Sequence, residues 1–408
     1  MIIFVLPARR FFEPEPDHSG GGNGIYYPFN SSSAPNCSAI LRSARDELME
    51  KVEIVKNVLD FISVDSADDA AFNDLALKLF AYQFKNNGPF MKFARRRGAT
   101  PRTVKSWMDI PAVPINAFKT LDLSCSPIAK AKAIFMTSGT TLGGVRGKSY
   151  HPTLDVYDAS MHRNFRDRFM GNYERIKMGI LFPTPSLMPN SSLAHYLDLA
   201  VRDFGLRESR HLVDANGIEF SCLFDDLAEA EKTNKPYALL GASFSLVHVL
   251  DEMARISRKV KLPPGSRILD TGGFKGQSRE LEPNEFYDKL EDAFGVPRSL
   301  CINMYGMTEL SSQFYDDGNL ICPSVKYGPH WLRSRVVNPI TGETIPDGQI
   351  GILAHTDLAH FNICTTVLTE DAGLAVENGF QLIGRADGKE AQGCSMAVDE
   401  FLKAAGGS

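Results

Sequence analysis

The sequence predicts an α/β protein, and three observations predict it. Apolar runs of strand length recur at Ile134–Met136, Lys177–Pro183, Tyr237–Gly241, Ser266–Asp270 and Leu300–Met304. Segments with helical spacing of apolar residues precede and separate them. From Val336 on, turn signals come faster (Asn338-Pro339, Thr341-Gly342, Asp347-Gly348), which marks a β-rich end. Strands alternating with helices argue for stacked α/β layers.

At 408 residues and 45.0 kDa the chain is long enough for one large or two ordinary domains. A hydrophobic content of 43% and a net charge of -5 describe a globular protein with no nucleic-acid footprint. Seven cysteines without a C-x-x-C pair argue against a disulfide scaffold or a zinc site, so a reduced, cytoplasmic chain is expected. No apolar run reaches the roughly 18 residues that a membrane helix needs.

Taken in order, residues up to about Pro35 are rich in Gly, Ser and Pro and read as a disordered leader. Helical periodicity begins near Ser38. A second helix is expected over about Ala67–Asn86, with Ser66 as its cap and Asn87-Gly88-Pro89 as its stop. A third runs over about Pro89–Arg97 and ends at Gly98. The prolines in Ile110–Lys119 predict an extended connector.

The run Ile134–Lys148, IFMTSGTTLGGVRGK, is the stretch on which function turns. A buried strand empties into Thr137, Ser138, Gly139, Thr140 and Thr141, followed by glycines and the cations Arg146 and Lys148. Glycines let backbone N–H groups approach an anion, hydroxyls add donors, and cations neutralise charge. A flexible surface turn is the plain alternative. The run is not a G-x-x-x-x-G-K-[ST] loop: its spacing differs, and Pro152 disfavours the helix that pattern must open.

Thr153 can cap a helix over about Leu154–Met170, and His195 sits on a later helix. Gly241-Ala-Ser-Phe-Ser245 only partly matches the G-x-S-x-G elbow of serine hydrolases. The strand Ser266–Asp270 leads into Gly272 and Gly273, which allow close approach to a flat ring. The strand Leu300–Met304 leads into Tyr305-Gly-Met-Thr-Glu309, and Gly384-Arg-Ala-Asp-Gly388 comes last.

Thr137–Thr141 matches the T-S-G-T-T loop, and Tyr305–Glu309 the Y-G-x-T-E motif, of the adenylate-forming superfamily, so the chain resembles these enzymes. They use ATP to turn a carboxylic acid into an acyl-AMP, with release of pyrophosphate. The resemblance implies a large N-terminal adenylating core of stacked αβ layers plus a small β subdomain. It assigns the loop, with Lys148, to the phosphates, and Gly272 and Gly273 to the adenine. Tyr305 would stack on adenine, Gly306 and Thr308 would meet the nucleotide, and Glu309 with Thr140 would hold Mg²⁺. Asp371 best matches the carboxylate that grips the ribose, with Asp357 as the other alignment. Arg385 would contact the nucleotide, Asp387 would be a hinge, and His195 would lie at the carboxylate substrate.

Ile110–Lys119 also resembles the I-P-x-x-P-x-x-x-F-K entry segment of one branch, the LuxE-like acyl-protein synthetases of luminescence operons. These carry a Cys near the C-terminus in a Gly-Cys-Ser context, matched by Gly393-Cys394-Ser395. The resemblance implies that the acyl group passes from the adenylate to Cys394 and on to a reductase-like partner protein. The expected organisation is a leader over 1–35, a core over 36–383, and a hinge and short flexible tail over 384–408 in place of a mobile domain. An acyl- or aryl-CoA ligase of the phenylacetate-ligase type and a catalytically silent nucleotide-binding partner are the competing readings.

Overall fold

A computed structural model of the chain describes residues 37–138, 144–273 and 278–406. The expected leader over 1–35 lies outside them, as do Gly139, Thr140, Thr141 and Phe274. Met1–Glu50 and Lys51–Ser408 form two compact units. The helix Cys37–Ser63 spans that boundary in sequence, and everything below concerns the second unit.

Its central layer is a six-stranded sheet in the order 314–315, 301–305, 267–271, 237–242, 177–181, 210–211. All neighbours are parallel except the short edge strand Phe314–Tyr315. Parallel strands buried on both faces read as unbroken apolar runs, which is why YALLGA and RILDT were legible. Alternation sends Leu239, Ile268 and Cys301 toward the helices Phe220–Thr233, Ser243–Arg255 and Pro283–Phe294. The intervening Ala238, Leu240, Leu269 and Ile302 pack on Asp155–Phe165 and Ser192–Phe204.

A second six-stranded sheet takes the C-terminal third, in the order 325–326, 379–385, 366–376, 350–357, 332–337. Its long strands are antiparallel. The sixth strand comes from far upstream: Val113–Pro114 pairs parallel with Val367 and Leu368. The connector expected to be extended therefore contributes a strand and then a helical turn, Ala117–Thr120.

Two local expectations change. Asp68, not Ser66, caps the second helix, its carboxylate accepting from Ala71 N at 2.8 Å, and the helix runs Asp69–Asn86. The helix expected to reach Met170 stops at Phe165 and continues as a π-helical turn, Arg166–Met170. At its start, Thr153 Oγ1 accepts from Asp155 N at 3.3 Å.

The C-terminal residues depart most from expectation. In place of a short flexible tail there is a helix, Gly388–Ala405. Phe401 is buried with its ring 4.6 Å from that of Phe93. Arg97 grips the Glu400 carboxylate with two bonds, of 2.9 and 2.6 Å. Lys92 Nζ donates to the Ala405 carbonyl at 3.1 Å, which satisfies one carbonyl of the last turn. Gly393 sits where any side chain would run into Pro339, since a Cβ there would lie 2.6 Å from Pro339 Cγ.

Candidate active site

The loop after the strand Ala133–Met136, expected to cradle phosphate, is closed at its base. Ala133–Met136 pairs antiparallel with Lys148–His151. Beyond the pair, Thr137 N donates to Gly147 O at 3.0 Å, and Gly147 N donates to Thr137 Oγ1 at 2.9 Å. Ser138 is exposed just above. Gly139, Thr140 and Thr141, the centre of the expected cradle, lie outside the described residues.

Glu309 comes up against this base. A Cβ on Gly147 would sit 3.3 Å from Glu309 Oε1, 3.2 Å from Thr137 Cγ2 and 3.5 Å from Phe118 Cβ. A side chain there would press on Glu309 and Thr137. The structure thus brings together the ends of two motifs that are far apart in sequence. Glu309 is 5% exposed, and burial pushes its carboxyl up to about 7. Its own backbone hydrogen bond and the cations Lys119 and Arg385 pull the other way. A buried carboxylate beside a phosphate loop suits a hard cation, and Mg²⁺ is commonly held by one or two carboxylates together with nucleotide phosphates. Among the described residues no cluster of three or more His, Cys, Asp or Glu could hold a metal unaided.

The carboxylate expected to grip the ribose stands on one of two paired strands. Asp371 and Arg385 are cross-strand neighbours, with Arg385 Nε 3.3 Å from Asp371 Oδ1. Tyr305 Oη donates to Asp371 Oδ2 at 2.7 Å. The Tyr305 ring packs against Phe314, His355 and Phe380 at centroid distances of 6.0, 5.5 and 5.6 Å. Besides any stacking, Tyr305 therefore orients Asp371, a role that its motif does not reveal.

The other ribose alignment is closed by geometry. Asp357 is fully buried and already accepts from Ser311 N, Ser312 N and Ser312 Oγ, each at 2.8 Å, and from Ala359 N at 2.9 Å. Its oxygens hold the chain after the Y-G-M-T-E turn and are not offered to a ligand.

Gly272 has φ +75°, and among the described residues neither it nor Gly273 would bring a Cβ within 4 Å of another atom. They leave open space at the end of the strand Arg267–Thr271, as a flat ring requires. Gly306 lies on the exposed side of its turn and Thr308 is half-buried.

Two expected residues point elsewhere. Lys148 shares a strand face with Tyr150, and both reach Asp122, at 3.8 and 2.5 Å. That face is opposite to Gly147, so Lys148 is turned from Glu309. The cations that act on Glu309 are Lys119 and Arg385, the former the last residue of Ile110–Lys119, carried in by the turn whose Phe118 packs on Gly147. Sequence reasoning quoted this lysine only as part of a connector; pairing of Val113–Pro114 with the second sheet is what delivers it. His195 is engaged with Asp158, Nε2 to Oδ1 at 2.8 Å, and flanked by Phe135 and Tyr157 at 5.5 Å each. Phe135 shares its strand face with Thr137, which leaves His195 on the loop's side of the sheet but already partnered.

Ser243 of the partial elbow motif donates to Asp270 Oδ2 at 2.8 Å, and Tyr287 and Asn303 bond the same carboxylate. It braces two strands and has no His base.

Cys394 is far from an exposed thiol. It is 4% exposed in a cluster with Val337, Ile352, Ala354, Leu368 and Ala397. Its Sγ lies 3.8 Å from the Thr369 carbonyl, and burial, with Glu370 and Asp371 adding repulsion, pushes the thiol up to about 11. Leu368 faces this cluster while Val367 faces the main core, and the strand then bulges between Leu368 and Ala372, so that the adjacent Glu370 and Asp371 both reach Arg385, at 3.6 and 3.3 Å.

Comparison with known proteins agrees with this architecture. Two curated relatives carry the name long-chain-fatty-acid–luciferin-component ligase. The Vibrio harveyi protein is 20% identical over 335 residues, covering 80% of this chain and 86% of its own. The Aliivibrio fischeri protein is 21% identical over 306 residues, covering 72% and 79%. Among solved structures, a 2-hydroxyisobutyryl-CoA ligase in complex with its acyl-adenylate superposes with a TM-score of 0.55 at 16% identity, covering 78% of this chain and 68% of its own. The profile of the acyl-protein synthetase (LuxE) family matches residues 41–403. With nearly the whole folded chain inside that match, this protein belongs to the LuxE acyl-protein synthetase family.

Proposed function

We propose that the chain activates a carboxylic acid, fatty in the two relatives' names, with ATP and then carries the acyl group on Cys394. The observation that carries the reading is Glu309, buried against the closed base of the phosphate loop, with Asp371 and Tyr305 set at the ribose side. In the first step a carboxylate oxygen attacks the α-phosphorus, the α–β anhydride bond breaks and pyrophosphate leaves. Glu309, together with the nucleotide's phosphates, would hold Mg²⁺, which would supply charge neutralisation there. Lys119 adds a fixed positive charge beside it, and Asp371, locked by Tyr305 and Arg385, orients the nucleotide. In the second step the Cys394 sulfur attacks the acyl carbonyl, the C–O bond to phosphate breaks, AMP leaves and the thiol proton is lost. A reductase-like protein is the proposed final acceptor. No helix among the described residues is long and apolar enough to cross a membrane, and the cytoplasm is the proposed location.

The test is exchange of labelled pyrophosphate into ATP, which is expected only when a carboxylic acid is present. Exchange without acid, or none across short, long and aromatic acids, would overturn adenylation. Label found on coenzyme A rather than on protein would favour a CoA ligase. Nucleotide binding with no exchange would indicate a silent partner.

Two variants probe the supporting residues. Lys119→Met is expected to lower the kcat/KM for MgATP by about tenfold, since it removes a cation that the protein field places beside developing charge. Tyr305→Phe frees Asp371 to rotate and should raise the KM for ATP by about ten- to a hundredfold, the worth of one hydrogen bond to a charged group. Steady-state exchange kinetics at saturating acid measure both. An unchanged Lys119→Met enzyme would return the phosphate role to Lys148.

A further inference from the structure

A cavity of about 440 Å³ lies beside the C-terminal helix, within the usual range for ligand sites. None of Thr137, Tyr305, Glu309, Asp371 and Arg385 lines it. Its buried lining is apolar throughout, with Phe93, Ile110, Pro111 and Val337 among the walls. Its exposed lining is mostly polar, with Asp109, Glu343 and Thr344 at the solvent side. The flanking arginines are engaged: Arg97 holds Glu400, and Arg335 Nη1 donates to Thr344 Oγ1 at 3.3 Å.

The position of this cavity relative to the thiol is what gives it meaning. Val337, Ala354, Leu368 and Ala397 line the cavity and also belong to the cluster that encloses Cys394. Ala397 is one helical turn beyond Cys394, on the same face. The sheath around the sulfur and the wall of the cavity are therefore one continuous apolar surface. Cys394 itself does not line the cavity, so a chain bonded to its sulfur reaches it past these four shared side chains.

We propose that this cavity houses the aliphatic chain of the Cys394 thioester when the C-terminal helix is docked, and so keeps the thioester out of water until the acceptor removes it. This rests on the reading of Cys394 as acyl carrier. Each methylene buried along the apolar lining favours the docked, loaded state, so protection grows with chain length.

The experiment uses the full chain, ATP, Mg²⁺ and octanoic, dodecanoic and hexadecanoic acids, the longest also with a photoreactive diazirine at its end. Mass spectrometry after illumination is expected to find crosslinks at cavity residues such as Pro111 and Val337 in the wild type, and none there in Cys394→Ser given the same acid and ATP. Release of label by neutral hydroxylamine should slow at least tenfold from the shortest acid to the longest. Ala397→Phe, which fills the cavity, should abolish that slowing while acid-dependent pyrophosphate exchange stays unchanged. Label on Cys394 with crosslinks elsewhere, or with a release rate independent of chain length, overturns the cavity's role and leaves the carrier reading standing. Crosslinks that persist in Cys394→Ser show a site for free acid and overturn the thioester's occupancy. No label on Cys394 in the wild type fails the carrier reading itself, and the proposal with it.

Discussion

Glu309→Gln is expected to cut acid-dependent pyrophosphate exchange by about a hundredfold or more, with the fold intact. The substitution keeps the shape of a side chain that packs beside Gly147 and Thr137, so no cavity opens. It also removes a carboxyl whose charged form is disfavoured by burial, so the protein without ligand gives up no stability on that account. The loss is of charge where a divalent cation meets the departing pyrophosphate. Removing one such electrostatic contact from a preorganised site costs on the order of a hundred- to a thousandfold. Thermal unfolding at or above the wild-type temperature, together with collapsed exchange, is the expected pair of measurements. Exchange within threefold of wild type at ordinary Mg²⁺ would remove Glu309 from the proposed metal site.

Cys394→Ser is expected to separate the two half-reactions completely. Pyrophosphate exchange should stay at the wild-type level, because Thr137, Glu309 and Asp371 are all in place without the thiol. Stable, hydroxylamine-sensitive label on the protein should fall to background, since a serine hydroxyl ionises far less readily than even a buried thiol. The docked state sets a further condition. Burial pushes the Cys394 thiol up to about 11, which disfavours the nucleophilic thiolate while the helix is docked. Glu400→Gln, which breaks the charge pairing with Arg97, should therefore speed labelling several-fold while exchange is unchanged. Full labelling of Cys394→Ser would move the acceptor to another residue. Slower labelling of Glu400→Gln would mean that the docked helix is itself the reactive form.

The layers of the fold were legible because each central strand is apolar on both faces and each covering helix carries a periodic stripe. The site was legible in part. Tyr305 and Glu309 stand in a short turn after a strand, so local pattern and place coincide. The choice between Asp371 and Asp357 was not readable. Both follow apolar strands, and only the folded chain shows Asp357 consumed by the Ser311–Ser312 backbone. Lys148 looked apt because it adjoins the loop, yet strand alternation turns it toward Asp122. Lys119 was passed over because a short parallel pairing across some 250 residues of sequence is what brings it to Glu309. The docked helix hid behind composition. Its inward positions include Cys394 and Ala397, too small to make an apolar stripe stand out, and Gly388 and Gly393 near its start read as a turn.

The strand Thr366–Val376 separates two compartments, and this shapes how the family can vary. Val367 looks toward the main core and Leu368 toward the thiol cluster, and the bulge that follows brings Asp371 to Arg385. Changes at Asp371 should erode ATP use first. Changes at Leu368 should spare ATP use and shorten the life of the loaded protein. Lineages that change acid length are then free to drift at the thiol end of the strand, while the bulge holds the other end fixed.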